Sequence, residues 1–132
     1  MSQSIAIMVL GSPYAETSTQ TALHFAKATL AKGYAIERLF FYHEAAYVGS
    51  ALTVAAQDEI NLPEAWQAFI AANALDSVVC IASALKRGIL DSDEASRYEK
   101  PAVSLDNRMQ LAGLGQWIDA VNRADKQIIF GA

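Results

Sequence analysis

The sequence predicts an α/β fold in which a mostly parallel central sheet of about five strands carries helices on both faces. Two observations carry that prediction. Short apolar runs, such as residues 5–10 and 77–81, hold no charged residue, which is the pattern of strands buried on both sides. Between such runs lie segments with helical spacing, as at Ala22, Phe25, Ala26, Thr29 and Leu30. Strands alternating with helices pair in parallel, and right-handed crossovers then distribute the helices over both faces of the sheet.

The elements follow in order. Residues 5–10 (IAIMVL) make the first strand and stop at Gly11. Residues 11–14 are a loop, and Thr17 or Ser18 caps the helix after it, because a short hydroxyl accepts from the free N–H groups of a first turn. Gly33 ends that helix. Residues 36–42 are the second strand, enriched in aromatics at Phe40, Phe41 and Tyr42. Residues 44–61 are too long for a simple connector, so they are functional or partly helical. Pro63 suits the first turn of a helix through Trp66, Phe69 and Ile70. Residues 77–81 are the third strand, and residues 82–87 a short helix ended by Gly88. Residues 91–98 form another helical piece with Ser92 as its cap, and residues 102–105 a short fourth strand. Residues 111–123 are the last helix and residues 127–130 the last strand. No repeat, low-complexity segment or linker interrupts the pattern, so one domain over residues 1–132 is expected.

Composition narrows the class. Hydrophobic residues make up 53% of the chain, the apolar end for a free monomer, which points to surface covered by partner subunits. The net charge is −4 and no run of Lys or Arg stands out, so direct nucleic-acid binding is not expected. No basic segment precedes residues 5–10 and no apolar window is long enough to span a bilayer, so neither signal peptide nor membrane helix is predicted. A lone cysteine cannot form an internal disulfide, and a reduced thiol suits the cytoplasm.

That cysteine, Cys80, is the first candidate for chemistry. It lies near the C-terminal end of the third strand, the edge where open α/β sheets bind ligands. A thiol just before a helix N-terminus is favoured as thiolate by the dipole and the free N–H groups. Lys86 and Arg87 follow within two turns and offer positive charge. The residue alone leaves a second reading open, because Val78-Val79-Cys80-Ile81 also reads as core and cysteine is among the most buried residue types. The loop from Gly11 to Thr19 stands where flavodoxin-like folds hold phosphate, yet it has one glycine, no G-x-G-x-x-G or Walker pattern, and Glu16, which favours an ordinary capped loop. His43, at the tip of the second strand, is either a thiolate stabiliser in the crevice of Cys80 or a solvated loop residue. His24 lies mid-helix, where a partly buried or interface position is expected. Two isolated histidines and one cysteine lack metal-ligand spacing, and no metal or organic cofactor is expected. The aromatics Phe40, Phe41, Tyr42 and Tyr47 read as packing.

Several segments together resemble a known family. FFYHEAAY (residues 40–47), VVCIASALKRGILD (78–91) with EAS (94–96), and LAGLGQWIDA (111–120) look like the DsrE/TusD subunits of the DsrE family, and GSPY (11–14) and DKQIIFG (125–131) fit the same pattern. The resemblance covers essentially the whole chain, and the cysteine segment with its basic pair, glycine and acidic residue is its most specific part. It implies a three-layer α/β/α fold and a sulfurtransferase whose active-site cysteine, matched by Cys80, carries sulfur as a persulfide. It implies a heterohexamer with TusB- and TusC-like, or DsrH- and DsrF-like, subunits. A TusA-like donor and a TusE-like or DsrC-like acceptor are implied as well, the sulfur ending in 2-thiouridine at the tRNA wobble position or, in the Dsr branch, serving cytoplasmic sulfur oxidation. One departure stands out: relatives often carry an acidic residue, Gly and Val after FFY-x, and this chain has Glu44-Ala45-Ala46, which bears on the loop near the cysteine. Two rival classes remain at this point, a flavodoxin-like nucleotide or flavin binder and a non-catalytic scaffold subunit with an inert Cys80.

Overall fold

The computed structural model describes residues 3–132. In chain order the elements are β1 (Ser4–Val9), α1 (Ser18–Ala31), β2 (Ala35–Phe41), a 3-10 helix (His43–Gly49), α2 (Leu62–Asn73), β3 (Ser77–Cys80), α3 (Ile81–Lys86), α4 (Ser92–Arg97), β4 (Gln110–Ala112), α5 (Gly115–Arg123) and β5 (Lys126–Phe130). The five strands form one sheet in the order β4-β3-β2-β1-β5, and every pairing is parallel.

The unbroken apolar runs are explained by two cores, one on each face. Ile7, Val9, Leu39, Phe41 and Val79 point to the side covered by α1 and α2, where Ala22, Leu23, Trp66 and Ile70 meet them. Ala6, Met8, Phe40, Val78 and Cys80 point to the side of Trp117 and Ala120, on α5. Successive side chains of a strand alternate faces, so a strand buried on both is apolar nearly throughout, with Ser77 and Arg38 as the buried polar exceptions. Trp66 anchors the first core: it is fully buried, packs edge-on to Phe41 with ring centroids 5.1 Å apart, and donates from Nε1 to the Thr19 carbonyl at 3.1 Å.

The connections follow from handedness. From β1 to β4 the chain adds strands toward one edge, and those crossovers run through elements of the first core. To reach β5 it returns across the whole sheet, which for a right-handed crossover requires the opposite face. That return is α5, whose body packs on β2 and β1.

Local physics departs from the expected elements in four places. The fourth strand is Gln110–Ala112, not residues 102–105. The N–H groups of Ser104 and Leu105 both donate to the Leu90 carbonyl, and Leu105 makes only an isolated antiparallel bridge with Ser50, so that backbone is consumed by loop contacts. Leu111 and Ala112 accordingly leave the last helix, which begins at Gly115. The cap of α4 is Asp91, whose Oδ1 accepts from the Glu94 N–H at 2.9 Å, and Ser92 is the first helical residue. Thr17 occupies the cap position of α1 without a side-chain cap bond, whereas Asn61 caps α2 by accepting from the Glu64 N–H at 3.1 Å.

Candidate functional site

Cys80 is both the last residue of β3 and the cap residue of α3. Its register partner in β4 is Ala112. From β3 the chain turns toward the first core, where Ala84 and Ile89 pack; from β4 it turns toward α5 on the opposite face. Adjacent parallel strands whose connections diverge to opposite faces leave a crevice at their carboxyl ends, and ligands of open α/β sheets bind there. Cys80 ends β3 at that divergence. It is only 4% exposed and shares a cluster with Met8, Phe40, Trp117 and Ala120.

Beside it runs an aromatic row. Phe41 pairs with Val79, so Tyr42 and His43 leave β2 next to the end of β3. Trp117 and Phe40 have ring centroids 6.3 Å apart, as do Phe40 and Tyr42, and the His43 ring stacks on Tyr42 at 4.0 Å. His43 has φ +52°, a left-handed conformation that a non-glycine residue adopts at a cost. It is held there by its N–H, which donates to the Ser83 Oγ on α3 at 3.0 Å. The ring itself is exposed.

Arg87 is tied to the same junction. Its Nη1 donates to the Ser83 carbonyl at 2.9 Å, its Nη2 to Glu44 Oε1 at 2.7 Å, and the guanidinium lies 6.0 Å from the centre of the Tyr47 ring. Ser83, Glu44 and Arg87 therefore lock the 3-10 helix onto α3. Lys86 is exposed at the far end of α3, where it lines a groove of about 930 Å³ with Leu52, Leu90, Tyr98 and Lys100. So the four residues singled out from sequence do not converge on one point. Cys80 and His43 share the carboxyl edge, Arg87 braces it, and Lys86 faces elsewhere. Ala45 and Ala46 are fully buried in the first core, on the 3-10 helix. His24 is exposed on α1 rather than partly buried.

Two hydroxyls of the first loop are used within it, whereas the buried Ser18 Oγ has no hydrogen-bond partner. Ser12 Oγ accepts from the N–H groups of Tyr14 and Ala15, and Thr19 Oγ1 donates to the Gly11 carbonyl. A Cβ on Gly11 would stand 2.2 Å from Ser18 Oγ, so a side chain there would displace the Ser18 hydroxyl. The adjoining cavity is lined by Glu16, Asp58 and Glu59, which repel a phosphate. A flavodoxin-like nucleotide site finds no support there.

One residue that sequence reasoning passed over is Arg38, a buried cation in β2. Its Nη1 donates to the Gln116 carbonyl at 2.8 Å and to Asp119 Oδ2 at 3.1 Å, and its Nη2 to Asp76 Oδ2 at 2.8 Å. It fastens α5 to the sheet. The available signal was a Glu37-Arg38 pair inside an otherwise apolar strand. Among the described residues, no group of three His, Cys, Asp or Glu side chains is placed to hold a metal, and no helix is long and apolar enough to cross a membrane.

Fold and site define an α/β protein that carries one thiol at the ligand edge of a parallel sheet. The chain belongs to the DsrE/DsrF-like family, whose model matches residues 3–130. It is 44% identical over 124 residues to a sulfurtransferase TusD homolog of Pseudomonas aeruginosa, covering 94% of this chain and 95% of the relative. It is 38% identical over 126 residues to a putative sulfurtransferase DsrE of Allochromatium vinosum (96% and 97% covered) and 38% over 124 residues to the sulfurtransferase TusD of Cronobacter sakazakii (94% and 97%). Sulfur transfer is the activity of this chain's relatives by name, and the chain is a sulfurtransferase of that family. The crystal structure of the ychN protein from E. coli superposes with a TM-score of 0.75 at 21% identity, covering 97% of this chain and 99% of that one, which establishes the shared fold.

Proposed function

We propose that Cys80 is the sulfur carrier of a relay. The Cys80 thiolate attacks the outer sulfur of a donor persulfide; a bond forms between Cys80 Sγ and that sulfur, the donor's S–S bond breaks, and the donor leaves as a thiolate. The proton on the outer sulfur stays with it, and no external oxidant is involved. An acceptor thiolate then attacks the same sulfur and returns Cys80 to its starting state. The observation that carries this reading is the position of Cys80 at the point where the connections of β3 and β4 diverge. A chain with one cysteine has no internal thiol to receive the sulfur, so donor and acceptor are both other proteins. In this reading His43 flanks the site from Tyr42, Arg87 acts through the brace to Glu44, and Lys86 serves the surface rather than the sulfur.

The wider setting in this proposal is cytoplasmic: one domain assembled with TusB- and TusC-like subunits, a TusA-like donor and a TusE-like acceptor, leading to 2-thiolation of the tRNA wobble uridine. Relatives named TusD at 44% and 38% identity support that branch, and a DsrE at 38% identity keeps sulfur oxidation as the alternative. The direct test is intact-mass spectrometry after incubation with a persulfidated donor protein. Wild type gains one sulfur and Cys80→Ser gains none; an adduct that persists in the serine variant overturns the assignment. Complementation of a strain lacking TusD, read as 2-thiouridine in tRNA, tests the branch. Persulfide formation without restored thiolation moves the chain to the sulfur-oxidation branch.

A further inference from the structure

Lys86 stands in the groove of about 930 Å³ that the end of α3 shares with residues 98–104. Among the described residues every arginine pairs with a carboxylate, and no lysine does. Two of these unpaired ammonium groups, on Lys86 and Lys100, line the groove, and no described carboxylate lines it with them. The rest of the wall is mainly apolar, with Leu52 66% and Tyr98 52% exposed. The cavity beside the first loop has the opposite character, with Glu16, Asp58 and Glu59 and no described cation. In a chain of net charge −4, an apolar groove flanked only by cations is a local reversal of sign.

The wall of this groove is fixed by hydrogen bonds. The Ser104 N–H donates to the Leu90 carbonyl at 3.0 Å and its Oγ to the Gly88 carbonyl at 2.7 Å, while its own carbonyl accepts from the Ala51 N–H at 2.7 Å. Ser104 thus joins the segments that carry Leu52, Gly88 and Leu90. Lys100 is presented by the turn that closes α4. There the N–H groups of Glu99 and Lys100 donate to the carbonyls of Ser96 and Ala95 at 3.2 and 2.8 Å. Glu99 has φ +54°, the left-handed position that glycine usually takes in such a turn, so the turn is kept against some strain. A wall set in advance binds without the cost of ordering it. The groove is also rigidly linked to the cysteine. Cys80 is the cap residue of α3 and Lys86 its last residue, about 9 Å apart along the helix axis.

We propose that a protein exchanging sulfur with Cys80 docks in this groove through an acidic, apolar-faced segment. Its apolar side chains lie on Leu52, Leu90 and Tyr98, and its carboxylates stand against Lys86 and Lys100. The apolar wall supplies contact area. The two unpaired ammonium groups orient the segment and select it against a basic one. The docking site rests on the reading of Cys80 as carrier, but its test measures binding without sulfur transfer.

The experiment titrates the full chain carrying Cys80→Ser, in which no sulfur moves, with the donor protein and with the acceptor protein in a calorimeter at low salt. Adding Lys86→Glu/Lys100→Glu raises the Kd for at least one of them about tenfold, and added salt narrows the difference. Lys86→Arg/Lys100→Arg keeps the original Kd. Lys27→Glu/Lys32→Glu, the same charge change on α1, leaves both Kd values unchanged. Equal Kd values for both proteins after reversal in the groove overturn the proposal. An equal loss in the α1 variant also overturns it, by showing an effect of net charge alone. Reversal that releases the chain from its partner subunits while both Kd values hold assigns the groove to a subunit interface and overturns it too. Should the reversal disturb folding, Leu52→Ser at its exposed position carries the test with the same readout. A wild-type chain that gains no sulfur from the persulfidated donor refutes the carrier and leaves these Kd values standing, so the two failures are distinct.

Discussion

At the scale of single residues, Cys80 and Arg38 are complementary cases. Cys80 is core by burial, and the same residue is the proposed carrier by its position at the end of β3. Arg38 reads as an intrusion in an apolar strand, yet three acceptors converge on it. Its side chain is 10% exposed, while those of Asp76 and Asp119 are 37% and 41% exposed. Replacing Arg38 by Met keeps the bulk in β2 but frees the Gln116 carbonyl and leaves Asp76 without its partner, while Asp119 keeps Arg123. The expected cost is about 2 kcal/mol, below that of a fully buried pair because both carboxylates still reach water. Urea denaturation measures it; a variant as stable as wild type would show that α5 is held by apolar packing alone.

At the scale of elements, the ends of helices are where prediction and structure part. A cap is legible as a residue type, but which of two adjacent hydroxyl or carboxyl residues takes the position depends on the φ and ψ at which the preceding chain arrives. Thus Asp91 rather than Ser92 caps α4, and Thr17 stands at the cap of α1 without bonding. Asn61→Ala is expected to cost about 1 kcal/mol through loss of its bond to the Glu64 N–H, whereas Thr17→Ala stays within about 0.5 kcal/mol. Thermal melts of the two variants side by side check the contrast. The strand at the sheet edge has a similar origin. Gln110–Ala112 is short, and its two apolar residues continue the pattern of the following helix, so only pairing with Val78, Val79 and Cys80 reveals it as β4.

At the scale of the whole molecule, carboxylates held by arginines, some close in the chain and one across it, shape the response to acid. Arg108 donates to Asp106 from Nε at 2.8 Å and from Nη2 at 2.6 Å, and holds its carboxyl below the ordinary value of 3.8. Arg123, and then Arg38, hold Asp119 below the same value. A carboxyl whose folded pKa is depressed binds protons more readily in the unfolded chain. Its contribution is therefore complete above the unfolded value and is lost as pH falls through the folded one. Stability is expected to decline from about pH 4 downward, and the decline should be shallower in Asp106→Asn, as read by urea midpoints at successive pH values. Equal slopes in variant and wild type would remove Asp106 from the account.

The sequence by itself determined the α/β class, the burial of β1 and β3 on both faces, the position of Cys80 at a strand end, and that no second cysteine stands in the chain. Each of these rests on local period or on a count, and neither requires knowledge of where distant segments meet. Only the tertiary structure decided the sheet order, and with it that the connections from β3 and β4 diverge beside Cys80. It also decided that Arg87 is committed to Glu44 and that Lys86 belongs to a separate groove. These depend on which strand lies at the edge and which face a crossover takes, properties of pairing between residues far apart in the chain. They leave no periodic trace in any single segment.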